Sequence, residues 1–183
     1  MNFLILGVAI FFLIHVVPST GIKTSLTNNI GEAIYKMTFS FLSFLGLGLI
    51  IYGYSISTFQ ALWAAPGWGR SMLFLVMPIV CVLLVAAQAP TNIKKFVRHP
   101  MLIGMIIWGA GHLIANGDLA STIIFASFAL FSIINIVIVN GRGPYEAPAA
   151  VSPIWDLAVI AIGLALYAIL FYFHGSITGM PLL

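Results

Sequence analysis

Residues Ser71 to Ala89 read SMLFLVMPIVCVLLVAAQA, nineteen positions without a charged side chain. A hydrocarbon core about 30 Å thick is crossed by about 20 apolar residues in a helix, so this stretch alone names the solvent in which the chain folds. Lipid offers no partners to backbone N–H and C=O groups, and only helices and closed barrels satisfy their own. Strands of a barrel alternate polar and apolar positions, and an unbroken apolar run argues for a helix instead. Pro78, near the middle of the run, removes one backbone hydrogen bond and clashes with the preceding turn, which predicts a kink. Cys81 is the only cysteine and lies inside the same run as a buried, inert thiol. Neither a disulfide nor a thiolate metal cluster is therefore available within one chain.

The same texture recurs on both sides. Hydrophobic residues make up 62 % of the 183 positions and charged residues 6 %, with mean hydropathy +1.15, whereas a soluble domain carries about 25 % charge. Six candidate spans follow: Asn2 to Val17, Thr38 to Ser57, Ser71 to Ala89, Pro100 to Asn116, Leu119 to Val139 and Trp155 to Phe173. The expected fold is all-α, a polytopic transmembrane bundle of about six helices forming a single domain over residues 1–183. Asn2 to Val17 has the length of a signal peptide but no Lys or Arg before its apolar run, and is read as a retained first helix.

The connections are short. Pro18 to Lys36 is the most polar stretch and reads as an interfacial helix carrying Glu32 and two lysines. Trp63 and Trp68, beside Pro66 and Gly67, stand where an interfacial aromatic belt would, and Gly141 to Pro153 reads as a connector. No internal repeat is visible, which disfavours a secondary transporter with mirrored halves. Lys23, Lys36, Lys94, Lys95, Arg98 and Arg142 fall in the odd-numbered connections and only Arg70 in an even one. The positive-inside rule places the odd connections in the cytoplasm and both termini outside. The net charge of +3 forms no cluster or stripe, and nucleic acid is not an expected partner; the lipid bilayer is.

An ionisable group inside a membrane is costly enough to be a functional candidate by default. Of the four histidines, His174 follows the last expected span at an aqueous edge. His112 lies deep in the fourth span, with Gly104, Trp108 and Asn116 on its face at four-residue spacing. Gly104 and Gly111 admit a neighbouring helix or a flat ligand, and Trp108 offers an aromatic wall. The competing reading is a neutral His112 hydrogen-bonded to Ser132 or Asn135 on the fifth span, gluing the bundle together. His15 closes the first span before Pro18, one turn after Phe11, as a ligand or as a packed interfacial side chain. Arg98-His99-Pro100 sets Pro at the first helical position and His at the cap, where free N–H groups and the helix dipole favour a phosphate or carboxylate; a helix start held at the headgroups is the alternative. Asn116-Gly117-Asp118 reads as a helix stop followed by an N-cap.

Taken together, His15-Val16-Val17-Pro18-Ser19-Thr20, Leu62-Trp63 with Pro66-Gly67-Trp68, Arg98-His99-Pro100 with Gly104, Trp108, Ala110-Gly111-His112-Leu113 and Asn116-Gly117-Asp118 resemble the NnrU family. These are bacterial inner-membrane proteins associated with denitrification and related to 15-cis-zeta-carotene isomerases. The resemblance spans about residues 5 to 140 and implies an inner-membrane location with periplasmic termini. Its isomerase relatives bind haem b between membrane histidines, which implies His15 and His112 as axial metal ligands, with His99, Trp108 and Arg98 as further cofactor-binding candidates. Straight helices set His15 and His112 about 18 Å apart in depth at 1.5 Å per residue, so His15 with His99 matches better in depth. His99 and His112 point roughly 140° apart on one helix and should not share a small ligand. The stretch Asn140 to Glu146 is less basic than the family pattern.

Two other functions compete with a haem protein of nitrogen-oxide metabolism or isomerase-like chemistry. Arg98-His99-Pro100 with Gly104 also resembles the Arg-His-Pro motif of membrane methyltransferases using S-adenosylmethionine, but Met101 and Leu102 stand where an aromatic is expected and no paired glutamates follow. The small residues Gly46, Gly48 and Gly163 suit a non-enzymatic assembly factor that docks on a membrane protein partner or forms a homo-oligomer.

Overall fold

The computed structural model describes residues 1–180 and 182, and among them the chain is all-helical. Eight helices follow in order: α1 (Asn2–Val16), α2 (Ile22–Ile30), α3 (Glu32–Ser55), α4 (Gly69–Gln88), α5 (Ile93–Phe96), α6 (Pro100–Ala115), α7 (Leu119–Asn140) and α8 (Pro153–Thr178). Five of them, α1 with its 3₁₀ extension, α3, α4, α7 and α8, are long and apolar enough to cross a bilayer. The protein is a polytopic helical membrane protein. The sixth expected span, α6, is apolar but only 16 residues long, or about 24 Å at 1.5 Å per residue.

Boundaries shift where polar residues extend helices beyond the apolar run. α3 starts at Glu32 rather than Thr38, because Glu32 and Lys36 pair one turn apart (2.7 Å) and support the first turns outside the hydrophobic stretch. α8 continues to Thr178 and takes His174 inside the helix, correcting its place beyond the last span. α4 runs as one helix through Pro78, beside which a cavity of about 230 Å³ opens against Leu164. Between the first two spans the expected helix is present as α2, in contact with α3 and joined to it at Gly31, whose φ of 85° suits glycine.

Side by side, the long helices stand in the order α3, α1, α7, α6, α4, α8, each packed chiefly on its neighbours in that row. Lipid tails are as apolar as leucine, so close backbone approach rather than the hydrophobic effect holds such helices together. In α1 and α3 that approach is made by glycine: a Cβ on Gly53 would lie 2.2 Å from Leu4 N, and one on Gly7 2.6 Å from Ile50 N. Gly163 of α8 likewise sits on Val82 of α4. Gly46 and Gly163, expected to serve a partner, are thus occupied within the chain, while Gly48 meets nothing within 4 Å.

Both ends of the row are tied by polar contacts. At one, the α3–α4 loop lies across the α6–α7 turn: Leu62 and Trp63 N–H donate to the Gly117 carbonyl (2.7 and 3.2 Å), and Leu119 N–H to that of Gln60 (2.9 Å). A Cβ on Gly117 would fall 2.0 Å from the Trp63 carbonyl oxygen, so only glycine fits. Asp118 caps α7 by accepting from Ser121 N–H (2.9 Å). At the other end Asp156 accepts from Thr91 Oγ1 (2.5 Å), Asn92 N–H (2.7 Å) and Asn92 Nδ2 (2.7 Å), and so locks the start of α8 to the segment after α4. The six basic residues of the odd connections gather at this second end, with Arg70 at the first.

Candidate functional site: two histidines on an aromatic seam

Two groups of helices, α1 to α3 and α4 to α8, meet where α1 crosses α7. α1 runs parallel to α7: Leu4 clusters with Ala120, Phe12 packs on Phe128 and Phe131, and Ser19 Oγ donates to Asn135 Oδ1 (2.9 Å). α6 runs antiparallel, with a Cβ on Gly109 reaching the Phe125 carbonyl at 2.6 Å. This brings His15 to the level of Phe131 (6.4 Å between ring centres) and His112 to that of Phe125, on which it stacks at 4.5 Å and 26°. Six residues of α7 separate those levels, or about 9 Å. The depth difference of about 18 Å expected from straight, full-length spans is halved, because α1 ends well inside the row: His15 neighbours Phe39 (5.1 Å), seven residues into α3.

Between the two imidazoles the seam is filled with aromatic rings. His15 stacks on Phe11 (4.1 Å, 25°), Phe11 meets Phe128 (5.3 Å), Phe128 meets Trp108 (5.6 Å) and Trp108 meets His112 (5.3 Å). Each histidine also points Nδ1 at the carbonyl one turn before it, His15 at Phe11 (2.6 Å) and His112 at Trp108 (2.9 Å). A carbonyl only accepts, so Nδ1 carries a proton in both rings, and Nε2 makes no hydrogen bond among the described residues. The two imidazoles thus lie in the same apolar seam with Nδ1 held in the same way. Neither Ser132 nor Asn135 takes His112 as the alternative reading expected; Ser132 bonds the Phe128 carbonyl and Asn135 bonds Ser19.

A match over residues 3–182 with the family described as NnrU protein covers nearly the whole chain. The chain belongs to the NnrU family. No curated protein and no solved structure matches it.

Within this NnrU protein the remaining candidates lie apart from the seam, Trp108 excepted. Arg98 donates to the Gly143 carbonyl (3.0 Å) and stands over the Tyr145 ring, whose hydroxyl bonds the Lys94 carbonyl. His99 Nε2 meets Asn140 Oδ1 (2.9 Å). Arg98 fastens the α7–α8 connector, and His99 the last residue of α7, to the start of α6, at the opposite end of that helix from His112. His174 bonds the Met180 carbonyl (2.8 Å) at the end of α8. Sequence reasoning placed Phe11 one turn before His15 but passed over Phe125, Phe128 and Phe131. The one available signal was the spacing of Phe11 and Trp108, each one turn before a histidine.

Proposed function

We propose that this NnrU protein binds haem b through His15 and His112, in the inner membrane of a bacterium, and that haem-dependent redox or isomerase-like chemistry serves nitrogen-oxide metabolism there. The observation that carries the reading is the matched setting of the two histidines: Nδ1–H tied to a carbonyl one turn back, Nε2 without a hydrogen bond among the described residues, both on one aromatic seam. Metal-bound histidines are held this way, the second nitrogen's hydrogen bond fixing tautomer and ring orientation. Haem iron takes imidazole, and burial and surrounding rings tune its potential. The donor chemistry fits.

The space sets a condition. Phe11, Phe128 and Trp108 occupy the line between the imidazoles, so one iron held by both requires these rings to leave it. When bound, haem would supply a redox-active iron; the chain's own residues orient the donor nitrogens and surround the group with apolar rings. Arg98 and His99, on which a methyltransferase reading depends, are engaged with Gly143 and Asn140, which weighs against that alternative.

Visible spectra of the detergent-purified protein, expressed with ample haem, test the proposal in oxidised and reduced states. A Soret band lost in both His15→Ala and His112→Ala, and kept in His174→Ala, supports ligation by both. Loss in only one names a single ligand. A featureless wild-type spectrum overturns the proposal and leaves the assembly-factor role.

A further inference from the structure

The two helix groups are held together internally by one kind of contact and to each other by another. Within α1 to α3 and within α4 to α8, backbone approaches backbone at glycine: Gly53 on Leu4, Gly7 on Ile50, Gly109 on Phe125 and Gly163 on Val82. Among the described residues, no glycine inside a helix makes such a contact from one group to the other. There α1 meets α7 over a much smaller face than α1 shares with α3, or α7 with α6. A sparsely packed boundary is where a fold opens first. This one is also unequal along its length. At the first end of the row, three backbone hydrogen bonds tie the α3–α4 loop to the α6–α7 turn, the Tyr54 and Ser121 hydroxyls meet at 3.3 Å, and Leu4, Ala120 and Ser121 are buried. At the lysine-rich end, Ser19 to Asn135 (2.9 Å) is the one hydrogen bond between the groups among the described residues, and Phe12, His15 and Phe131 keep partial exposure.

We infer that the α1–α3 and α4–α8 groups open as two bodies about a pivot at the Gly117 end, parting α1 from α7 at the lysine-rich end, with the Ser19–Asn135 hydrogen bond as the latch. Hinges of this kind turn on a few loop or element-terminal residues. Here the pivot is the α3–α4 loop, which is also the covalent link between the groups. One neutral hydrogen bond contributes little by itself, so the latch is weak while the pivot, bonded through the backbone and closed to any Cβ at Gly117, is not. Parting at the latch carries Phe11, Phe12 and His15, all on α1, away from Phe128 and Phe131 on α7 and leaves a slot lined by rings. The motion needs no ligand and does not rest on the haem reading, although it provides the room that reading requires.

Pulsed-EPR distance distributions test this on the full chain in lipid nanodiscs, spin-labelled in a Cys81→Ser background without added haem. Three pairs at exposed positions are compared. Met37→Cys with Val137→Cys spans the boundary at the lysine-rich end, Ile51→Cys with Leu75→Cys spans it at the first end, and Val137→Cys with Leu157→Cys stays inside one group. The first pair gives two populations and the others a single narrow one. Ser19→Ala raises the longer population of the first pair over the shorter about fivefold, the factor of one ordinary hydrogen bond. A single narrow distribution for the first pair, both with Ser19 in place and in Ser19→Ala, overturns the inference. Equal broadening at the two ends overturns the pivot, and two populations in the one-group pair overturn the division into these two bodies. A featureless visible spectrum leaves these distances as they are, so failure of the haem reading is told apart from failure of the hinge.

Discussion

At the scale of single residues, hydrogen bonds to fixed acceptors do most of the positioning. Asp118 is buried and holds both the first turn of α7 and, through its neighbours, the α3–α4 loop. Asp118→Ala is expected to cost about 1 kcal/mol, the usual value of an N-cap, and Asp118→Asn much less; thermal unfolding in detergent reads the difference. Asp156→Ala should lower the unfolding midpoint as well, since Thr91 and Asn92 each lose their acceptor, and protease cleavage in the Gly141–Ser152 connector should rise with it. His15, His112 and Trp108 were legible in the sequence because an imidazole in an apolar run is conspicuous and helical spacing finds its neighbours one turn away. The phenylalanines between the histidines were not, because their proximity comes from two different helices crossing a third. Asp156 and Asn92 were hidden for the same reason, being 64 residues apart along the chain.

At the scale of helices, glycine decides which faces meet. Gly53→Val sets side-chain carbons against the α1 backbone at Leu4, which has no soft rotamer to yield, and is expected to destabilise the α1–α3 pair by about 3 kcal/mol, the upper end of overpacking costs. Gly48→Val, one helix face away and open, should leave the midpoint unchanged. Both are read as melting curves of the purified protein, and equal behaviour of the two variants would remove the packing argument. The existence and type of the spans could be read from hydropathy alone, as could α2 and the stop at Asn116. Their ends could not, because the Glu32–Lys36 pair and the polar tail of α8 carry helix past the apolar region.

Across the whole molecule, α6 is the element on which topology turns, being shorter than the five candidate spans yet joining opposite ends of the row. In a Cys81→Ser background, Lys95→Cys and Asn116→Cys, which flank α6, should react with an impermeant maleimide from opposite sides of the membrane, Lys95→Cys from the cytoplasm by the positive-inside rule. Labelling of both from one side would mean that α6 does not cross. The order of helices in the row was beyond the sequence, since α1 pairs with α3 and α7 while α2, α4, α5 and α6 intervene along the chain. That order sets the seam at the middle of the row, where the α1–α3 and α4–α8 groups meet among apolar side chains. If the proposed haem binds the two histidines, it reaches them from within the membrane. Its supply is governed by how well it dissolves in oil and not by its concentration in water.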